Sequence, residues 1–263
     1  MSTKIFVVTG GSSGIGLAVI KKLIADESNQ VISFSRSKDK IKRALDEIKD
    51  KPENLEFYEG DVCSDDDCKR FAESISNKYG KIDGLVNSAG VLTQGGIQNI
   101  SYDQWKFNLD VNLNGVYLLT QNLLDLLKTS KNASIVNISS IASMRPGRSI
   151  AYSVSKAGLD MLTEFLAGEL APFNIRVNAV NPGFVRTNIH YDNNIVESKD
   201  EYEQMVSDVV KRNPLGREGK PEEIADLIVF LLGNKSSWIT GSVYKIDGGT
   251  LIENDFLPGF KNL

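Results

Sequence analysis

The chain has 263 residues, 41% of them apolar, and is long enough to bury one sizeable hydrophobic core or two small ones. Its 30 Lys and Arg against 34 Asp and Glu give a net charge of -4, and no basic block stands out, which disfavours a nucleic-acid partner. No apolar run reaches the roughly 18 to 20 residues that span a bilayer, and no apolar leader precedes the first strand-like segment. We therefore expect a cytoplasmic protein with no membrane partner.

The chain carries few residues of the types that bind metals or form disulfides. Its two cysteines, Cys63 and Cys68, are far in sequence from the single histidine, His190. A metal site needs more ligands than these, and a disulfide is not expected in a reducing compartment. The sequence predicts two ordinary thiols and no metal site.

Strand-like and helix-like segments alternate along the chain. The predicted strands are Lys4–Thr9, Val31–Phe34, Leu55–Tyr58, Ile82–Val86, Ser134–Ile138, Ile175–Val180 and Ser242–Ile246. The helical patterns between them run from Ile15 to Ile24, over Lys38–Lys51 and Asp65–Tyr79, twice after the fourth strand, from the Tyr152 region to about Ala171, and from Pro221 to Gly233. Such alternation predicts a doubly wound α/β fold with a parallel sheet covered on both faces. No linker marks a boundary, so residues 1–263 are expected to form one domain.

A glycine-rich turn joins the first strand to the first helix. Its glycines are Gly10, Gly14 and Gly16, and the residues between them include Ser12, Ser13 and Ile15. Free backbone N–H groups and the helix dipole at such a turn form an anion site. The spacing differs from the usual G-x-G-x-x-G fingerprint, but the position between a strand and a helix favours dinucleotide binding over a merely flexible turn.

A tyrosine and a lysine stand four residues apart in a helical segment, as Tyr152 and Lys156. At this spacing both side chains lie on one helix face. A nearby cation lowers the pKa of a phenol from its ordinary value of about 10, which suits it to proton exchange with a substrate oxygen. Alone, such a pair is usually a solvated helix face, so the rest of the chain decides its meaning.

Five motifs follow one another in a fixed order: Thr9-Gly10-x-x-x-Gly14-x-Gly16, Asn87-Ser88-Ala89-Gly90, a serine pair after the fifth strand, Tyr152-x-x-x-Lys156 and Pro182-Gly183. Together they resemble the classical short-chain dehydrogenase/reductase family, from Lys4 to about Gly249. The resemblance implies a Rossmann-type fold with a seven-stranded parallel sheet. It also implies an oxidoreductase that moves a hydride between a nicotinamide dinucleotide and an alcohol/carbonyl pair.

The resemblance also implies which residues bind the cofactor. Besides the glycine turn, Tyr152 and Lys156, these are Asp61, Val62, Asn87, Ala89 and Gly90 on the adenosine side, and Pro182, Gly183, Val185 and Thr187 at the nicotinamide. Ser88 stands where a second Asn is common in the family.

The residue after the second strand predicts which dinucleotide binds. An acid there binds the ribose of NAD, whereas an arginine accommodates the extra phosphate of NADP. Here the strand is followed by Ser35, Arg36 and Ser37, and the arginine fork suits a phosphate. Against this, Ser12 and Ser13 stand where some NADP-dependent relatives carry a basic residue, and Arg36 has the alternative of being a solvated surface residue. We expect NADP(H), with NAD(H) as the alternative.

By the same resemblance, Tyr152 is the acid, Lys156 lowers its pKa and binds the nicotinamide ribose, and Asn112 holds a water in a proton relay. The serine is open between two residues. The second position of the serine pair is Ser140, whereas thirteen residues before the tyrosine is Ser139. Strand alternation lets only one of them face the substrate, and we favour Ser140.

Residues 188–214 follow Thr187 as a polar stretch that we expect to be a long loop acting as a substrate lid. His190 is expected to be a lid or surface residue rather than a catalyst. The tail Asn254–Phe260 is compatible with capping either the pocket or a neighbouring subunit.

Several functional alternatives remain at this level. One rival is an epimerase or dehydratase of nucleotide sugars, and another is a dinucleotide-binding sensor or scaffold without catalysis. The family implies a homotetramer or homodimer, and a group of apolar residues after Gly90 is compatible with either an interface or the core: Leu109, Val116, Leu118 and Leu119. The sequence does not name the small-molecule substrate or the direction of the reaction.

Overall fold

The computed structural model describes residues 3–48, 52–147, 149–211 and 213–252. Its centre is a sheet of seven parallel strands in the order β3-β2-β1-β4-β5-β6-β7. The strands are β1 (Lys4–Thr9), β2 (Asn29–Ser35), β3 (Leu55–Glu59), β4 (Gly84–Asn87), β5 (Ser134–Ile138), β6 (Arg176–Pro182) and β7 (Val243–Ile246). The order reverses between β1 and β4, which places a ligand-binding crevice at the carboxyl ends of these strands. The predicted fold class is confirmed.

Apart from two helices that lie in the predicted lid loop, the helices occur in the places that the hydrophobic periodicity predicts. They are α1 (Gly14–Ile24), α2 (Lys38–Glu47), α3 (Asp65–Tyr79), α4 (Tyr102–Leu109), α5 (Gly115–Thr129), α6 (Ile150–Leu170), α7 (Ile189–Asp192), α8 (Lys199–Val210) and α9 (Pro221–Leu232). The helix α2 is shorter than expected, because Ile48 already has extended backbone angles (φ -83°, ψ 103°).

Alternate residues of each strand enter two separate hydrophobic cores. In β1, Ile5 and Val7 pack with Phe71 of α3 and Leu119 of α5. Phe6 and Val8 instead pack against α1 and α9 on the opposite face of the sheet. Because both faces are covered, the central strands β1, β4 and β5 are buried at nearly every position, as expected for a parallel sheet.

The two helical patterns expected after β4 are α4 and α5, and they are joined without a break. The joining turn is a π-helix over Asp110–Asn114, in which Gly115 N–H donates to the Asp110 carbonyl. Turns of this kind often occur at functional sites, and this one contains Asn112. Val116 and Leu119 of α5 are buried in the core, so these two residues do not form an exposed interface.

The expected lid loop is helical instead. Its second helix, α8, is capped at its N-terminus by Ser198, whose hydroxyl accepts a hydrogen bond from Glu201 N–H at 3.2 Å. Tyr202 and Val206 bury the inner face of that helix. The Ser-x-x-Glu capping pattern was present in the sequence and is the signal that the loop expectation overlooked. The tail Asn254–Phe260 lies outside the described residues.

The helices, the potential metal ligands and the cysteines bear on whether the chain could cross a membrane, bind a metal or form a disulfide. Within the described ranges, no helix has the length and apolar content to cross a membrane. The same residues contain no cluster of three or more His, Cys, Asp or Glu side chains that could hold a metal ion. Cys63 and Cys68 are free thiols.

Candidate active site

A pocket of about 670 Å³ lies at the carboxyl ends of the central strands. It brings together most of the residues predicted to bind the cofactor: Gly10, Ser12, Ser13, Gly14, Ile15, Arg36, Asp61, Val62, Ala89, Gly90, Tyr152, Lys156, Pro182, Gly183, Val185 and Thr187. Of the predicted residues, Gly16, Asn87 and Asn112 lie outside this lining. The fold therefore assembles one site from segments that are far apart in the sequence.

The glycine turn brings the backbone of β1 close to that of β4. Gly10 has a positive φ of 63°, and a Cβ there would lie 2.9 Å from the Ala89 backbone. A Cβ at Gly16 would lie 2.6 Å from the Gly10 carbonyl oxygen, so the absence of a side chain at Gly16 lets the start of α1 pack closely against the turn. Larger side chains would force these segments apart.

The N-terminus of α1 has free donors beside the pocket. Ser13 is its N-cap residue, and its side chain makes no capping hydrogen bond within the described chain. The N-cap serines of other helices, such as Ser37 and Ser149, do accept one. Because the first N–H groups of a helix lack intrahelical partners, the end of α1 is suited to bind a phosphate.

Asn87 stabilises the sheet beneath the pocket instead of lining it. Its Nδ2 donates to Asn137 Oδ1 at 2.8 Å, and the residue is 2% exposed. The end of β4 is held from the other side by Thr9, whose hydroxyl accepts from Ser88 N–H at 2.9 Å and Ala89 N–H at 3.0 Å. This fixes the backbone of Ala89 against the glycine turn.

Two ion pairs lie at the end of the pocket next to β2. Arg36 and Asp61 are 3.5 Å apart, between Nη1 and Oδ2. Lys40 Nζ lies 2.7 Å from Asp192 Oδ2, which links α2 to the predicted lid. The sequence reasoning missed this second pair. Lys40 follows Arg36 by four residues, but its partner is 152 positions further along the chain, where no local pattern marks it.

The two candidate serines point in different directions. Ser139 is buried and its hydroxyl donates to the Lys156 carbonyl at 3.1 Å. The Ser140 side chain interacts with the Tyr152 phenol and lowers its pKa, and the Ser140 hydroxyl accepts from Ala142 N–H at 3.1 Å. The alternation of side chains at the end of β5 therefore directs Ser140 toward the tyrosine.

Burial dominates the titration of Tyr152 and Lys156. Lys156 Nζ donates to the Ile138 carbonyl at 2.7 Å and lies 5.7 Å from the centroid of the Tyr152 ring. Burial lowers the pKa of Lys156 to about 8, with the Asp160 carboxylate acting in the opposite direction. Burial raises the pKa of Tyr152, opposed by its hydrogen bond to Ser140. This differs from the expected lowering by Lys156, and it keeps the phenol protonated near neutral pH.

Asn112 connects the π turn to two neighbouring segments. Its Oδ1 accepts from Val91 N–H at 2.9 Å, and its Nδ2 donates to the Val91 carbonyl at 2.9 Å and to Ser155 Oγ at 3.1 Å. Both ends of the side-chain amide are thus occupied. The relay water that the family resemblance implies for Asn112 stays a prediction.

Comparison with known proteins places the chain in a family. Residues 10–250 match the family model described as enoyl-(acyl carrier protein) reductase. The chain is 38% identical over 251 residues to the 3-oxoacyl-(acyl-carrier-protein) reductase FabG of Thermotoga maritima, an alignment that covers 95% of this chain and 98% of the relative. The chain belongs to the short-chain dehydrogenase/reductase family. The family expectation from the sequence is confirmed, and the protein is an NAD(P)-dependent oxidoreductase.

Solved structures of other short-chain dehydrogenases/reductases share this fold. The aldohexose dehydrogenase of Thermoplasma acidophilum superposes with a TM-score of 0.81 at 33% identity, covering 95% of this chain and 94% of the other. The L-sorbose reductase of Gluconobacter frateurii, determined with NADPH and L-sorbose, superposes with a TM-score of 0.84 at 30% identity, covering 95% and 97%.

In this short-chain dehydrogenase/reductase, the predicted lid is held by an aromatic cluster. The His190 ring stacks on Phe184 at 5.2 Å between centroids, and Tyr191 stacks on Tyr202 at 5.0 Å. Burial lowers the pKa of His190, so this ring is neutral at neutral pH. His190 lines the pocket as part of α7.

Proposed function

We propose that this short-chain dehydrogenase/reductase is an NADPH-dependent carbonyl reductase whose catalytic group is Tyr152, Lys156, Ser140 and Asn112. The observation that carries the proposal is one shared pocket. Tyr152 and Ser140 line the same pocket as the N-terminus of α1 and Arg36. An acid, a phosphate site and a cation are therefore within the reach of one dinucleotide and its substrate.

The residues of this pocket fit a nicotinamide dinucleotide. The end of α1 would hold its pyrophosphate, and Gly10 allows the close backbone approach that such binding needs. The segment from Pro182 to Thr187 would hold the nicotinamide end. When bound, the reduced cofactor supplies the hydride.

The chain itself supplies the proton and stabilises the developing charge. Tyr152 donates its proton to the carbonyl oxygen of the substrate, and the Ser140 hydroxyl donates a hydrogen bond to the same oxygen. Lys156 keeps a positive charge beside the phenol as that proton leaves. Asn112 is hydrogen-bonded to Val91 and to Ser155, and these bonds fix the two segments that lie beside Lys156.

Arg36 and Lys40 support NADP(H) over NAD(H). Both line the pocket, and the residues directly after β2, Arg36 and Ser37, include no acid that would bind an unphosphorylated ribose. Asp61 partly neutralises Arg36 at 3.5 Å, so NAD(H) is the alternative that a titration decides.

The proposal is tested first by binding and then by turnover. NADPH and NADH are titrated separately, and we expect NADPH to bind at least about tenfold more tightly, a difference of about 1.4 kcal/mol. Preference for NADH would overturn the role of Arg36 but keep the oxidoreductase. Binding of neither would contradict the assignment of the pocket.

Turnover is measured as carbonyl-dependent oxidation of the bound dinucleotide. The panel begins with acetoacetyl coenzyme A, because the Thermotoga relative is named a 3-oxoacyl reductase, and includes a ketohexose, because of the L-sorbose reductase. Net oxidation with a simple carbonyl excludes an epimerase. NADPH binding without turnover across the panel would favour a sensor or scaffold instead.

We further propose that two copies of the chain pack along α6 in a homodimer or homotetramer. Val154, Met161 and Phe165 form one stripe of this helix and are 43%, 64% and 69% exposed. Phe165→Asp should lower the molecular mass measured by sedimentation velocity, with the exposed Asp125→Asn as the control. An unchanged mass in the Phe165 variant would contradict this interface.

A further inference from the structure

A buried polar cluster lies directly behind the proposed catalytic group. Its centre is Asn181, at the end of β6, which is 0% exposed. The two N–H groups of Asn181 Nδ2 are shared among three acceptors: the Ser140 carbonyl at 3.1 Å, Ser143 Oγ at 2.9 Å and Asp160 Oδ2 at 2.8 Å. The cluster therefore ties together β6, the turn after β5 and the helix α6.

Two side chains of the cluster donate hydrogen bonds to the backbone carbonyl of Ser140. The Ser140 carbonyl accepts from Asn181 Nδ2 and also from Ser143 Oγ at 2.7 Å. The same serine directs its hydroxyl to Tyr152. Because backbone and side chain of one residue move together, anchoring this carbonyl fixes the Ser140 hydroxyl beside the phenol.

The carboxylate of the cluster acts on Lys156. Asp160 follows Lys156 by one helical turn on the same face of α6, and its charge favours the protonated lysine against the effect of burial. Its Oδ1 is buried and has no hydrogen-bond partner within the described residues.

The other groups around the ammonium are uncharged. They are the Ile138 carbonyl, the Tyr152 ring and the side-chain amide of Asn112. The Asn112 amide and the Lys156 ammonium both lie next to Gly90. In the part of the chain that the structure describes, Asp160 is thus the charged neighbour that acts on Lys156.

We propose that Asn181 and Asp160 are positioning residues for the reaction: Asn181 holds Ser140 against Tyr152, and Asp160 keeps Lys156 in its charged form. This inference rests on the proposed function and assigns roles to two residues that the predicted site did not include. The alternative is a cluster that contributes only to folding.

The pH dependence of turnover separates these possibilities. For wild type, Asp160→Asn and the control Asp125→Asn, kcat is measured with NADPH and acetoacetyl coenzyme A between about pH 6 and pH 10. Asparagine retains an oxygen for Asn181 but loses the charge, so the alkaline limb should move to lower pH, by about one unit. Asp125 is 98% exposed on α5, and its variant should leave the limb in place. A folded Asp160→Asn with an unmoved limb would overturn the role of Asp160.

A second variant tests the positioning of Ser140 and remains informative if Asp160→Asn does not fold. Ser143→Ala removes one hydroxyl from the rim of the cluster and should lower kcat about threefold to tenfold, while the dissociation constant of NADPH stays within about twofold, because a single hydrogen bond contributes about 1 kcal/mol. An unchanged kcat would show that hydrogen bonds to the Ser140 carbonyl do not position the Ser140 hydroxyl, and it would overturn the positioning role of the cluster. Wild-type protein that binds NADPH but reduces no carbonyl would instead refute the proposed function itself.

Discussion

The two ends of the pocket use charge in different ways. At the end beside β2, the side chain of Arg36 is 61% exposed and its partner Asp61 31%, so water and salt weaken their interaction. At the catalytic end, Lys156 is 4% exposed, and burial lowers its pKa to about 8. The low dielectric there strengthens every interaction with the charge. We propose that the exposed end selects the cofactor through weak interactions and that the buried end controls the rate through strong ones.

The largest effect is expected from the acid at the buried end. Tyr152→Phe removes the phenolic proton and leaves the ring in place, so turnover should fall by about two to four orders of magnitude. The dissociation constant of NADPH should change little, because the end of α1 and Arg36 are untouched. Steady-state kinetics and a fluorescence titration measure the two quantities. Near-normal turnover would remove Tyr152 from the mechanism.

At the exposed end, Arg36→Asp should change specificity and not chemistry. The substitution replaces a phosphate-binding cation by the acid that favours an unphosphorylated ribose. We expect the ratio of NADPH to NADH affinity to fall by about tenfold to a hundredfold, since charge-assisted hydrogen bonds contribute about 1.5 to 3 kcal/mol. Maximal turnover with saturating cofactor should stay near the wild-type value. An unchanged ratio would show that Arg36 does not contact the cofactor.

The pH dependence of the wild-type enzyme connects rate to the buried lysine. The pKa of Lys156 is lowered to about 8, so the lysine is charged below that pH and loses its charge as pH rises through it. The pKa of Tyr152 is raised, so the phenol keeps its proton across the same range. Reduction should therefore slow above about pH 8, approaching tenfold per pH unit. A flat kcat up to pH 10 would contradict the role of Lys156.

The smallest effect is expected where the predicted lid meets the exposed end. Asp192→Asn breaks the ion pair with Lys40. The side chain of Asp192 is 31% exposed and that of Lys40 is 33% exposed. Partly exposed pairs contribute about 0.2 to 1 kcal/mol, so the release rate of NADPH should rise by at most about fivefold. Stopped-flow displacement measures this rate, with Glu197→Gln on the exposed surface of the lid as the control. Slower release in Asp192→Asn would mean that the pair does not hold the lid closed.

The sequence was sufficient wherever the signal is local. The β1 strand, the glycine turn and the Tyr152–Lys156 spacing each depend on neighbouring residues, and the structure places them as expected. Strand alternation predicts that Ser139 and Ser140 point in different directions, and their hydroxyls do have different hydrogen-bond partners.

Contacts between distant segments were beyond the reach of these patterns. Asn181 meets Asp160 only because β6 packs against α6, and Lys40 meets Asp192 only because α2 and α7 border the same pocket. Burial acts in the same way: the shifted pKa of Lys156 depends on everything packed around it. Asn87 is a case in which a local motif predicts a cofactor contact but the side chain is directed away from the pocket, toward Asn137.

A single-turnover experiment tests the central claim most directly. Protein saturated with NADPH is mixed with excess acetoacetyl coenzyme A, and the absorbance of the reduced nicotinamide is followed in wild type and Tyr152→Phe. The account predicts that wild type oxidises one equivalent of bound NADPH and forms the hydroxyacyl product, while the variant binds NADPH equally well and oxidises it at least about a hundredfold more slowly. Equal rates of oxidation in the two proteins would contradict the assignment of the buried end as the catalytic one.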